Sequence, residues 1–144
     1  MTNMMPPGKP AVAAIIACAS LCVTVASVLA NSAPAGQSAD AAAHKAWMND
    51  AADAQEDFRD AVRAKKGADA ASAAVKIEAL MAKTETYWAD KKAADIVKIA
   101  QESRTLATGV ATAAKAGEFD QADEAFGKMN LRCNACHDLH PEKR

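Results

Sequence analysis

Apolar residues recur at intervals of three and four along four stretches of this chain, the period of one face of an α-helix. Trp47, Ala51, Ala54, Phe58 and Val62 form the first stripe. Ala70, Ala73, Ile77, Leu80, Thr84 and Trp88 form the second. The third runs through Ala93, Ile96 or Val97, Ala100, Ala107, Val110 and Ala114. Ala122, Ala125 or Phe126, Met129, Cys133 and Cys136 make the fourth. Gly67 follows Lys65 and Lys66, and Gly117 follows Lys115 and Ala116. Both read as C-terminal glycine caps after basic last turns. Asp120 is the expected N-cap of the fourth helix and Pro141 its stop. No glycine separates the second stripe from the third. Extending the second past Trp88 meets Lys91, Lys92 and Asp95, so the phase breaks and a turn is expected within 84–92.

Composition strengthens the helical reading. Beyond residue 35 the chain is rich in Ala, Lys, Glu, Asp and Gln, which favour helix, and poor in Gly and Pro. Four short-linked helices predict an all-α fold, an antiparallel up-down-up-down four-helix bundle. Its core would be thin, because alanine lets helices approach closely but buries little area. A formal net charge of −1 gives no electrostatic case for nucleic acid. No glycine-rich phosphate loop and no nucleophile elbow is present. Asp50, Asp53, Asp57 and Asp60 form an acidic stripe that reads as a solvated helix face.

The first 35 residues differ from the rest. Lys9 is the one charge near the start, 11–30 carries none, and small residues surround Ala33-Pro34-Ala35. That order reads as a secretory signal peptide over 1–35, leaving one domain over 36–144. Cleavage after Ala30 competes with cleavage after Ala35. An apolar run of about 20 residues also suffices to span a bilayer, so an uncleaved anchor is the alternative. Cys18 and Cys22 fall in this segment and read as signal residues without chemistry.

The chemistry lies at the other end. Cys133-Asn134-Ala135-Cys136-His137 is a C-x-x-C-H haem-attachment motif. Two thiols at that spacing add across the two vinyl groups of one haem, and the following imidazole reaches its iron. On a helix Cys133 and His137 share a face, with Cys136 beside them. One covalent haem c is therefore expected. Two other readings compete. A redox C-x-x-C usually opens a helix after a strand, where the helix N-terminus lowers the thiol pKa; this motif closes the chain and no strand pattern precedes it. A zinc site would use Cys133, Cys136, His137 and His140, but structural zinc usually gathers its four ligands from two segments, and His44 is the one histidine elsewhere.

An exported helical chain with C-x-x-C-H near its C-terminus resembles the class II c-type cytochromes, the cytochrome c prime family. The resemblance covers 36–144 in architecture and rests in sequence on Cys133, Cys136 and His137. Members commonly carry an aromatic and a basic residue shortly after the motif, where this chain has His140-Pro141. The resemblance implies periplasmic location, Cys133 and Cys136 as haem thioethers, and His137 as proximal iron ligand. It also implies redox donor and acceptor proteins as partners, and dimerisation through the first two helices. An uncleaved N-terminal segment would add a membrane tether. Some members leave the sixth iron position empty and bind nitric oxide or carbon monoxide; others fill it with a methionine of the first helix and carry electrons.

Helix geometry selects among the side chains for that position. The fourth helix rises about 26 Å from Asp120 to His137. Counting the same distance back along the first helix from Lys66 reaches about residue 49, next to Met48. His44 lies one turn further and is the rival ligand. Met81 falls about 8 Å short if the second helix starts near Asp69, and Met129 shares a helix with His137. Trp47, Tyr87 and Trp88 come near the same level. Lys128, Arg132, Lys143 and Arg144 gather towards the motif and suit an acidic redox partner or haem propionates. The expectation is a one-electron carrier with six-coordinate His137/Met48 iron, which transforms no substrate and so is not read as an enzyme. A five-coordinate gas-binding cytochrome is the alternative, with a zinc-binding or structural helical protein behind it.

Overall fold

The structure, a computed structural model, describes residues 35–141. The expected signal peptide, or anchor, lies outside the described residues, as do Lys143 and Arg144. Four helices occupy almost all of the described chain: α1 (Ala35–Arg63), α2 (Gly67–Asp90), α3 (Ala94–Ala116) and α4 (Phe119–Leu139). They form an all-α bundle in which α1 packs on α2, α2 on α3 and α3 on α4. None of the described helices is long and apolar enough to cross a membrane.

The buried positions follow the apolar stripes. Ala70, Ala73, Ile77, Leu80, Thr84 and Trp88 of α2 are all buried. On α3 the stripe passes through Ile96 rather than Val97, and on α4 through Phe126 rather than Ala125. More than half of the buried apolar residues are alanines, so helix approach is limited by backbone rather than by side chains. Larger groups fill particular gaps. Phe58 of α1 and Phe126 of α4 stack with centroids 4.3 Å apart. A pair of that kind adds about 0.5–1.5 kcal/mol beyond its buried area.

Helix ends depart from the sequence expectation in two places. Gly117 does cap α3, at φ 78°, and the Gly117 and Glu118 N–H groups donate to the Ala114 and Ala113 carbonyls in a Schellman turn. Gly67, by contrast, begins α2. The left-handed residue that closes α1 is Lys65, at φ 56°, and Lys92 plays the same part after α2 at φ 58°. Lysine tolerates that conformation at a cost of about 1–2 kcal/mol. The turn after α2 therefore falls at 91–93, overlapping the end of the expected window and running one residue past it. Asp120 is not an N-cap: Glu118 occupies that position without a side-chain cap bond, and Asp120 lies in the first turn, where its negative charge interacts favourably with the positive end of the helix dipole.

Gly67 is needed for space instead. A Cβ there would stand 2.5 Å from the Ala114 carbonyl oxygen. The end of α1 also meets this corner, with the Lys65 ammonium 4.8 Å from the centre of the Phe119 ring. Gly67→Ala is expected to lower the unfolding free energy by about 1–3 kcal/mol through overpacking, measurable in urea. An unchanged midpoint would mean that the corner is loose.

Further along the bundle, from the middle of α3, Arg104 ties α3 to α2: its guanidinium donates to Glu78 at 2.9 Å and Glu85 at 2.8 Å. Gln101 donates to the other oxygen of Glu85 at 2.8 Å. The hydrogen bonds from Gln101 and Arg104 hold the Glu85 carboxyl below the usual carboxylate range. A depressed folded pKa stabilises the fold above the unfolded value, about pH 4.3, and that contribution fades as pH falls through the depressed value. Glu85→Gln should therefore lower stability at pH 7 and flatten its decline below about pH 4. Parallel pH profiles of the variant and the parent would contradict this.

Candidate functional site

The C-x-x-C-H motif lies within the last two turns of α4, so Cys133 and His137 share one helix face. Both cysteines are free thiols and half-buried. The end of the helix is anchored twice through His140. Its backbone N–H donates to the Cys136 carbonyl at 2.9 Å, and its ring Nε2 lies 2.8 Å from Asp95 Oδ2 at the start of α3. That side-chain bond, together with the Ile96 N–H, holds the Asp95 carboxyl below its ordinary range. The motif is thus pinned on α3 by its neighbour of three residues' distance.

A cavity of about 290 Å³ opens beside the motif. Cys133, Cys136 and His137 line it from α4, and His44, Met48, Ala51 and Gln55 from α1. Ile77, Met81, Thr84 and Trp88 close it from α2, and Ile96, Ile99, Ala100 and Ser103 from α3. All four helices contribute, which is why no single stripe reveals it. The wall is largely apolar in effect. The Thr84 hydroxyl donates to the Leu80 carbonyl at 3.0 Å and the Ser103 hydroxyl to the Ile99 carbonyl at 2.9 Å, so both are used within their own helices. Asn130 also faces this space, and its buried Oδ1 has no hydrogen-bond partner among the described residues.

The structure brings the motif, Met48 and His44 to one cavity. It adds Met81 to the lining. The start of α2 at Gly67 rather than near Asp69 lifts every later residue by about 3 Å, part of the expected shortfall of about 8 Å. Thr84, Ser103 and Gln55 were absent from the sequence reading of the site. Their only sequence signal is a position on an apolar stripe or beside one, and which of them face a cavity depends on how the helices rotate against each other.

His44 is buried, unusual for a lone histidine on a mostly alanine face. Aromatic rings surround it. Tyr87 stacks on it with centroids 4.7 Å apart and planes 12° from parallel. Trp88 and Trp47 meet it edge-on at 5.4 and 6.3 Å. The Trp88 indole Nε1–H donates to His44 Nε2 at 3.2 Å. That bond fixes Nε2 as the unprotonated nitrogen of a neutral ring.

The thiols have an environment opposite to that of reactive redox cysteines. Burial pushes the Cys133 thiol up, and the neighbouring Cys136 charge adds to this. Cys136 is raised by burial and then by the Asp95 charge. They also sit towards the negative end of the α4 dipole rather than at a helix N-terminus. Both features disfavour the thiolate that thioredoxin-like chemistry requires. Among the described residues, no group of three or more His, Cys, Asp or Glu side chains is arranged to hold a metal ion, so the zinc reading gains no cage.

Of the expected basic cluster, Lys128 and Arg132 lie within the described residues. Lys128 pairs with Glu124 at 2.7 Å and Arg132 with Glu102 at 3.4 Å, both on the surface. No protein-family model, characterised protein or solved structure matches the chain.

Proposed function

We propose that this protein is a periplasmic monohaem c-type cytochrome of the class II kind, carrying single electrons. The observation that carries the reading is the convergence of Cys133, Cys136 and His137 from α4 with Met48 from α1 on a single apolar cavity. The residues fit a haem. Cys133 and Cys136 have the spacing for two thioethers, and His137 follows as a ligand. Met48 supplies a thioether from the facing helix, and Ile77, Ile96, Ile99 and Ala100 supply apolar wall. Asn130 offers a buried amide whose oxygen still lacks a donor. When bound, the haem would supply a one-electron couple, with its potential raised by a Met/His ligand pair. Cys133, Cys136, His137 and Met48 would hold it, and the apolar wall would help to set that potential. No substrate is transformed.

An antiparallel up-down-up-down arrangement belongs to the same proposal. It is supported by the short turns between helices and by which ends meet. The Gly67 corner joins the α1–α2 turn to Ala114 and Phe119, while His44, Tyr87 and Trp88 gather near the other turn. Redox donor and acceptor proteins are the partners this reading requires.

The decisive experiment is the visible spectrum of the ferrous protein, purified from a host with c-type maturation machinery, with and without carbon monoxide. Sharp low-spin bands that resist the gas are expected. A high-spin spectrum that shifts at once would replace electron transfer by gas binding, and a colourless protein would overturn the haem reading.

A further inference from the structure

Met48 and His44 are four residues apart on α1 and line the same cavity as His137. Both are chemically competent iron ligands, and an imidazole is the stronger competitor for most transition metals other than soft ones. A six-coordinate His/Met iron in this chain therefore needs something that keeps the second imidazole away. The structure contains a group placed to do so. We propose that Trp88 selects the sixth iron ligand: its indole N–H occupies the His44 Nε2 lone pair and keeps His44 out of the coordination sphere. The inference rests on the haem reading above, but its test separates the two.

Three observations support it. The Trp88 Nε1 to His44 Nε2 distance is 3.2 Å, and the bond links α2 to α1 across 44 residues of sequence. A lone pair that accepts this hydrogen bond is not offered to a metal. The ring is held from its other sides as well, by Tyr87 stacked at 4.7 Å and Trp47 edge-on at 6.3 Å. His44 and Trp88 are both buried, so rotating the imidazole towards the cavity leaves the indole N–H without that acceptor in a place water hardly reaches. Trp88 is thus a positioning residue; it acts on the iron only through His44.

The test removes the thioethers first. In a Met48→Leu/Met81→Leu background, made with volume-conserving changes, His44 is the one remaining competitor on the far wall. With Trp88 in place this protein is expected to show a high-spin ferrous spectrum and to bind carbon monoxide. Adding Trp88→Phe removes the N–H and is expected to give a low-spin spectrum that resists the gas. A further His44→Phe change should restore the open iron. A low-spin, histidine-ligated background with Trp88 intact would overturn the inference, as would a Trp88→Phe protein that stays open. Wild-type protein that binds carbon monoxide would sink the Met48 reading and leave this comparison intact. Should Trp88→Phe fail to fold, nitrogen-15 spectra of the ferrous wild type decide instead. They are expected to show His44 protonated at Nδ1 and bare at Nε2, with a slowly exchanging Trp88 indole proton; a proton on Nε2 would exclude the bond.

Discussion

Replacing Cys133 and Cys136 together by serine is expected to abolish covalent pigment entirely. The chain mass should lose one haem per molecule, and acidified organic solvent should extract any colour that remains. A single replacement should leave one thioether and a chain still heavier by one haem. The same double variant should also unfold more easily, because the cavity beside the motif interrupts a core built mainly of alanine. Without a bound group, Ile77, Ile96 and Met81 lose contacts across that space. A fall in unfolding free energy of at least about 3 kcal/mol is expected, the scale of deleting one large buried aromatic side chain. Equal denaturant midpoints for the serine variant and the parent would show that the bundle stands without its cofactor. Retention of covalent pigment would overturn the assignment of the motif.

Met48→Leu carries the second large effect. The change conserves volume and removes only the thioether. The ferrous protein is expected to pass from low to high spin and to bind carbon monoxide. Its reduction potential should fall by on the order of 0.1 V, a fraction of the roughly 0.8 V over which axial ligands tune haem proteins. Loss of the sulfur ligand favours the ferric state, hence the sign. Met81→Leu is the matched comparison, since Met81 lines the same cavity and is buried. It should leave spin state and potential near those of the wild type. If the two variants exchange behaviour, α2 rather than α1 supplies the ligand, and the counting argument for Met48 fails.

Much of the fold was legible along the chain because alanine-rich helices obey local rules. Each stripe recurs at the helical period, and the structure buries most of the residues on it and half-buries Trp47, Val62, Ala93, Cys133 and Cys136. Ile96 over Val97 and Phe126 over Ala125 could not be settled locally, since both members of each pair sit next to the stripe. Contact with the neighbouring helix made the choice. The glycine caps show the same limit. Gly117 has the positive φ that its sequence context predicts, whereas Gly67 owes its presence to the Ala114 carbonyl, remote in sequence. Lys65 and Lys92 took the left-handed positions because Schellman hydrogen bonds close those helices whatever residue stands there.

The candidate site divides along similar lines. By itself the sequence determined four helices, their apolar faces, and a contiguous motif of two thiols and an imidazole, because those properties depend on residues within one or two turns of each other. Tertiary structure decided what faces that motif. The packing of α2 put Met81 on the cavity wall, the Trp88 indole met His44 of α1, and Thr84 and Ser103 joined the wall with their hydroxyls bonded within their own helices. Those outcomes follow from how four helices pack together, a balance of close alanine contacts and a few large side chains that no local period encodes.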